Sequence, residues 1–212
     1  MMLVVGLTGS IGMGKSTAAA RLKSHGIAVF DADAAVHALY SGKAVPLVET
    51  AFPGSTRDGV VDREALTRLL AGSRDQFAKL EAIVHPLVQA EERVFLQAEQ
   101  AGGAAVAVLE IPLLFETGLD QKVDVTIVVS APGDVQRARV LERPGMTAER
   151  FESIIALQVP DAEKRARADF VVDTSGSIEA SGAQIDDIVE ALGEREETAF
   201  ERYWLEPASR GS

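Results

Sequence analysis

The chain has 212 residues, with 32 Asp and Glu against 21 Lys and Arg, a net charge of -11 and no cysteine. This length fits one globular unit with a sizeable core and room for a smaller appended subdomain. The composition excludes disulfides and thiolate metal sites, and it argues against duplex nucleic acid or a membrane surface as partner, because both reward a basic face. No apolar run approaches the roughly 18 residues of a membrane span, and no basic region precedes the first apolar run, so the cytoplasm is the expected compartment.

The first predicted element is the apolar strand Leu3-Val4-Val5-Gly6-Leu7, followed at once by Gly9-Ser10-Ile11-Gly12-Met13-Gly14-Lys15-Ser16. This is a complete G-x-x-x-x-G-K-S phosphate-binding loop. Its glycines let backbone N–H groups turn toward phosphate oxygens, Lys15 reaches the β and γ phosphates, and the Ser16 hydroxyl is a ligand for Mg²⁺. The following run, Ser16-Thr17-Ala18-Ala19-Ala20-Arg21-Leu22-Lys23, is strongly helix-forming, and Gly26 stops it. A nucleoside triphosphate is the expected ligand.

A second strand over 27–30 leads into Asp31-Ala32-Asp33. In an open parallel sheet, ligands bind beyond the carboxyl ends of the strands, so this pair is expected at the same rim as Lys15. One carboxylate there can orient an acceptor hydroxyl and take its proton, and Asp33 is the candidate; Asp31 or Asp33 can equally cap the helix beginning near Ala34. Residues 34–102 then break the strand–helix alternation. Helical patterns over 62–70 and 75–100 accompany the turn-rich Phe52-Pro53-Gly54-Ser55 and Arg57-Asp58-Gly59, and no strand is expected. Pro86 is expected to break or restart the second helix. His85 beside it either touches a phosphate or ribose or packs between its apolar neighbours.

The third strand, over 105–111, carries Glu110 near its end: either a Mg²⁺-binding second motif or a strand-end charge facing solvent. Pro112-Leu113-Leu114-Phe115 is apolar enough to line a pocket. A fourth strand is expected over 123–129 and a fifth over 170–172, with a polar helical excursion at 136–167 between them. On that excursion Arg139 and Arg143 fall one turn apart on one face; such a pair repels by a few tenths of a kcal/mol unless an anion sits between them. It suits a phosphoryl-transfer lid or an ordinary solvated helix. Residues 185–204 form an acidic amphipathic pattern with Ile188, Val189 and Leu192 inward, and 210–212 are expected to be disordered.

The ordered set of motifs resembles dephospho-CoA kinase. It runs from Gly6-Leu7-Thr8-Gly9 through the loop to Thr17, then Asp31-Ala32-Asp33, His85-Pro86-Leu87 and Pro112-Leu113-Leu114-Phe115-Glu116. It continues with Gln136, Arg139, Arg143, Gln158, Lys164 and Ala168-Asp169. The resemblance implies an α/β, P-loop NTPase-type parallel sheet covered by helices, with a nucleotide-binding core at 1–33, 103–135 and 168–212. It further implies a helical acceptor subdomain at 34–102 and a helical lid at 136–167. The implied reaction is transfer of the ATP γ-phosphoryl group, with Mg²⁺, to the ribose 3′-hydroxyl of dephospho-CoA. By the same resemblance Asp33 is the general base. Gly12, Met13, Gly14, Lys15, Ser16 and Thr17 cradle the ATP phosphates, Arg143 closes over them and Arg139 lies near the adenine. His85, Pro112, Leu113 and Leu114 face the acceptor. The chain departs from the family where Glu110 and Thr174 stand in place of frequent Asp and Asn. A GTP switch is excluded by the lack of any asparagine for a guanine-reading Asn-Lys-x-Asp segment. Another small-molecule kinase, or a non-catalytic nucleotide-dependent interaction protein, shares the loop but gives no reason for the remaining motifs together.

Overall fold

The computed structural model describes residues 2–205, and the tail at 210–212 lies outside them. The chain enters through β1 (Leu3–Thr8), every residue of which is buried, and turns through the glycine-rich loop into α1 (Lys15–Ser24). At the end of α1 the Gly26 amide bonds the Lys23 carbonyl and the Ile27 amide bonds the Leu22 carbonyl, which closes the helix with a Schellman pattern. After β2 (Ala28–Asp31) come α2 (Ala32–Leu39), α3 (Val45–Ala51), β3 (Thr56–Arg57), β4 (Val60–Val61), α4 (Arg63–Leu70) and the 28-residue α5 (Arg74–Ala101). The chain continues with β5 (Val106–Glu110), a 3-10 turn at Leu119–Lys122 and β6 (Val125–Ser130). Then follow α6 (Gly133–Leu141), α7 (Ala148–Ile155), α8 (Asp161–Arg167), β7 (Phe170–Asp173) and α9 (Ile178–Leu192).

Five strands form one parallel sheet in the order β2-β5-β1-β6-β7, with β1 at its centre. The crossovers needed by parallel pairing bury the sheet, which is why its strands read as continuous apolar runs. Leu3, Val5, Leu7, Ile127 and Val129 pack with Leu22 of α1 and with Ile185, Ile188 and Leu192 of α9 into one core.

The chain divides into two compact units, Met1–Phe30 with Leu96–Ser212, and Asp31–Phe95. Helices α6, α7 and α8 belong to the first. The second has its own core of Leu39, Val48, Phe52, Val61, Leu66 and Leu70.

Three local expectations need correction. Residues 56–61 are a β-hairpin, with Asp58 at φ 52° and Gly59 at φ 78°, the pair of left-handed conformations that a two-residue turn between twisted strands requires. Pro86 neither breaks nor restarts its helix, for α5 runs through it. The backbone bond proline forfeits there would go to the carbonyl of Ala82, an exposed residue, while Val84 is buried and Leu87 packs on the second core. The acidic C-terminal helix ends at Leu192, and a separate π-helical turn forms at Phe200–Trp204. Asp124 dictates this ending. Its Oδ1 accepts the Thr198 and Ala199 amides at 2.8 and 2.7 Å, and its Oδ2 accepts the Val4 amide at 2.9 Å, so the final segment is pinned beside β1.

Candidate active site

The register of the sheet assembles the site. Leu7 pairs with Glu110 and Thr8 with Val128, so the ends of β5 and β6 flank the point where β1 turns into the loop. Ser130 pairs with Asp173, and the Thr174 amide donates to the Ser130 carbonyl at 2.8 Å, which brings Thr174 to the same rim. Gly12 and Gly14 adopt φ values of 79° and 86°. A Cβ on Gly12 would fall 2.4 Å from Val140 Cγ2, so the loop has room for neither a side chain nor a right-handed turn there. No side chain caps α1, so the N–H groups at its start have no side-chain partner; Ser16 and Thr17 begin that helix exposed.

Lys15 Nζ donates to Glu110 Oε1 at 2.7 Å, with the carboxylate side chain only 5% exposed. Glu110 is therefore not a charge facing solvent. It is the buried counter-ion of the phosphate-loop lysine, a role that follows from its pairing beside Leu7. The Ser16 hydroxyl is exposed and a hard oxygen donor, the kind a divalent cation such as Mg²⁺ would take. Among the described residues no group of three His, Asp or Glu side chains is gathered to hold a metal unaided. A cation here needs phosphate oxygens to complete its shell.

Beside the loop lies a cavity of about 920 Å³ lined by Gly12, Gly14, Thr17, Arg139, Arg143 and Thr174, and by the start of α9. Arg139 NH2 donates to the Thr174 carbonyl at 2.6 Å and NH1 to its hydroxyl at 3.3 Å, while that hydroxyl lies 2.9 Å from the Met13 carbonyl. Thr174, given no role by the sequence, thus fastens Arg139 to the phosphate loop. Arg143 lies beyond the last turn of α6, whose cap is Glu142, and not on the helix face that the spacing suggests. It nevertheless lines the same cavity as Arg139, so two arginines border one space in a chain of net charge -11.

Asp31 Oδ1 accepts the Ala34 amide at 2.9 Å and caps α2. Asp33, in the first turn of that helix, is exposed and free of the capping duty. His85 is exposed, so it does not pack between apolar neighbours. In the loop after β5, Leu113 is 36% exposed, whereas Leu114 is fully buried. Leu114 packs against Gly6, where a Cβ would meet Leu114 Cδ2 at 2.8 Å, and it supports the loop from below. Two more residues with no role in the sequence reading act on the phosphate loop: Gln136 Nε2 donates to the Ile11 carbonyl at 2.8 Å, and Gln158 Oε1 accepts the Ile11 amide at 3.3 Å.

Comparison with known proteins adds a family to this geometry. Residues 3–180 match the family model described as dephospho-CoA kinase. The chain is 54% identical over 191 residues to the dephospho-CoA kinase of Brucella melitensis biotype 1, covering 90% of this chain and 96% of that one. It is 52% identical over 193 residues to that of Agrobacterium fabrum, covering 91% and 100%. Among solved structures, a Thermus thermophilus protein superposes with a TM-score of 0.78 at 35% identity, covering 90% of this chain and 98% of the other. The dephospho-CoA kinase of Campylobacter jejuni gives 0.69 at 23% identity, with 92% and 98% covered, and the shikimate kinase of Acinetobacter baumannii 0.54 at 13%, with 92% and 94% covered; both show the fold. A match across most of the chain, joined to a complete phosphate loop with its lysine and an adjoining arginine-lined cavity, places this protein in the dephospho-CoA kinase family.

Proposed function

We propose that this chain transfers the γ-phosphoryl group of ATP to the ribose 3′-hydroxyl of dephospho-CoA, releasing ADP and CoA in the last step of coenzyme A biosynthesis. The carrying observation is the uncapped start of α1 with Lys15 at its mouth, a cradle for a triphosphate, in a chain of this family. Asp33 takes the hydroxyl proton as the ribose oxygen bonds to the γ-phosphorus; the bond from that phosphorus to the β–γ bridging oxygen breaks, and ADP departs. Lys15 leaves Glu110 for the phosphates and, with Arg143 as the lid arginine, offsets the charge on the leaving group. Arg139 lies toward the adenine. Pro112, Leu113 and His85 face the acceptor, with residues 34–102 as its subdomain and 136–167 as the lid. Ser16 would be the protein ligand for magnesium, which when bound would supply charge neutralisation to the transferring phosphates. No helix among the described residues is long and apolar enough to cross a membrane, and we place the enzyme in the cytoplasm.

The test is ADP release from Mg-ATP with dephospho-CoA, AMP and adenosine supplied in parallel. Only dephospho-CoA is expected to support turnover, and equal rates with adenosine would remove the acceptor assignment. Asp33→Asn is expected to keep ATP binding and lower kcat by at least about 10²-fold, the loss of a general base. A near-normal rate in that variant assigns the proton to another group.

A further inference from the structure

Ile11 sits in the middle of the phosphate loop, yet both of its backbone groups are held by side chains from outside it. Gln136, in α6 and only 6% exposed, holds the carbonyl. Gln158, beyond the end of α7, holds the amide. The direction of each bond is fixed by the backbone, because an N–H only donates and a carbonyl only accepts. Gln136 must present its nitrogen and Gln158 its oxygen. Gln158 is itself fixed through its neighbour: the Val159 amide donates to Glu116 Oε1 at 2.8 Å, and the same oxygen lies 2.9 Å from Nζ of Lys164, whose side chain is completely buried. Glu116 closes the Pro112-Leu113-Leu114-Phe115 loop after β5. One carboxylate therefore ties that loop to the segment that grips the phosphate loop. The start of α8 is anchored as well, by Ser130 Oγ donating to Asp161 Oδ2 at 2.7 Å.

We infer that Gln136 and Gln158 are positioning residues for phosphoryl transfer, a two-sided clamp on the Ile11 peptide that holds the phosphate loop in its working shape, with the Glu116–Lys164 pair setting Gln158. The inference rests on the kinase reading above. Neither glutamine needs to touch ATP. Their effect is on geometry, and displacing a reacting group by about 1 Å costs up to about 10²-fold in rate. Turnover is more sensitive to such a shift than nucleotide affinity, which is spread over many contacts.

Opposite bond directions give a test that a merely structural role does not reproduce. Glutamate at 158 keeps an oxygen for the Ile11 amide, whereas glutamate at 136 sets an acceptor against a carbonyl. In steady-state assays of the full chain, Gln136→Glu is expected to lower kcat about tenfold, and Gln158→Leu likewise, with the ADP dissociation constant within about threefold by calorimetry. Gln158→Glu is expected to stay near the parent. Independently of turnover, hydrogen exchange at the Ile11 amide is expected to rise at least about tenfold in Gln158→Leu but not in Gln158→Glu. Equal loss in both glutamate variants, or parental rates in all three, overturns the clamp while a parent active on dephospho-CoA leaves the kinase reading standing. A parent inactive on that acceptor overturns both.

Discussion

In the sheet unit, β1 is buried along its whole length and paired on both sides, to β5 and β6; in the unit Asp31–Phe95 the strands are two residues long and pair only with each other. The first is ordered by partners more than 100 residues away in sequence, as in the Val4 amide bonded to Asp124 or Gly6 packed on Leu114. The second is ordered by neighbours: Asp62 caps α4 through the Glu64 and Ala65 amides, and Glu49 accepts from the Gly54 amide and the Thr56 hydroxyl. The lesson is a division of labour. Long-range pairing fixes the geometry of the phosphate loop, while local caps and a small separate core suffice to order the second unit.

Three experiments press on that contrast. Leu66→Ala removes a residue only 3% exposed in the second core and is expected to cost about 3 kcal/mol, with amide exchange accelerated over 31–95 and little changed in β1 and β6. Equal acceleration in both units would show a single cooperative core instead. Gly9→Ala is the mirror experiment. Its Cβ would lie 2.8 Å from the Val129 backbone carbonyl, which strand pairing prevents from moving, so a loss of about 2 kcal/mol is expected, together with weakened ATP binding and unchanged protection over 31–95. Unaltered melting and unaltered nucleotide affinity would mean that the loop is softer than its packing implies. The smallest effect concerns pH. The Gly54 amide, followed by the Thr56 hydroxyl, holds the Glu49 carboxyl below its ordinary 4.5. A depressed carboxylate contributes stability that is present above 4.5 and is lost as pH falls through the folded value. Glu49→Gln is therefore expected to flatten slightly the decline of Tm with acidification, and an unchanged slope would deny that clamp any part in acid sensitivity.

The same contrast explains what was legible in the chain. All five sheet strands stood out as apolar runs, and the phosphate loop fixed Lys15 and Ser16 by spacing, because a motif that binds by main-chain geometry must keep its length. Glu110 was visible only as an acid at a strand end; its pairing with Lys15 depends on which strand lies beside β1, a property of topology. Gln136, Gln158 and Thr174 each reach the phosphate loop through one side-chain hydrogen bond across more than 100 residues, and no local pattern announces such bonds. Asp58-Gly59 reads as a turn, but the flanking strands of two residues leave no alternation to mark the hairpin around it. Pro86 misleads for the opposite reason: a rule about helix interiors carries less force on the exposed side of a helix, where Ala82 and Pro86 lie.

The ion pair between Lys15 and Glu110 has a consequence for selectivity at rest. Without nucleotide, the ammonium is already neutralised at contact distance, so an arriving anion meets an exchange reaction and not a bare cation. A small anion that takes the lysine must compete with a carboxylate that is fixed and only 5% exposed. Any ligand that recruits the lysine must leave the carboxylate a new partner or bear the cost of a buried, unpaired charge.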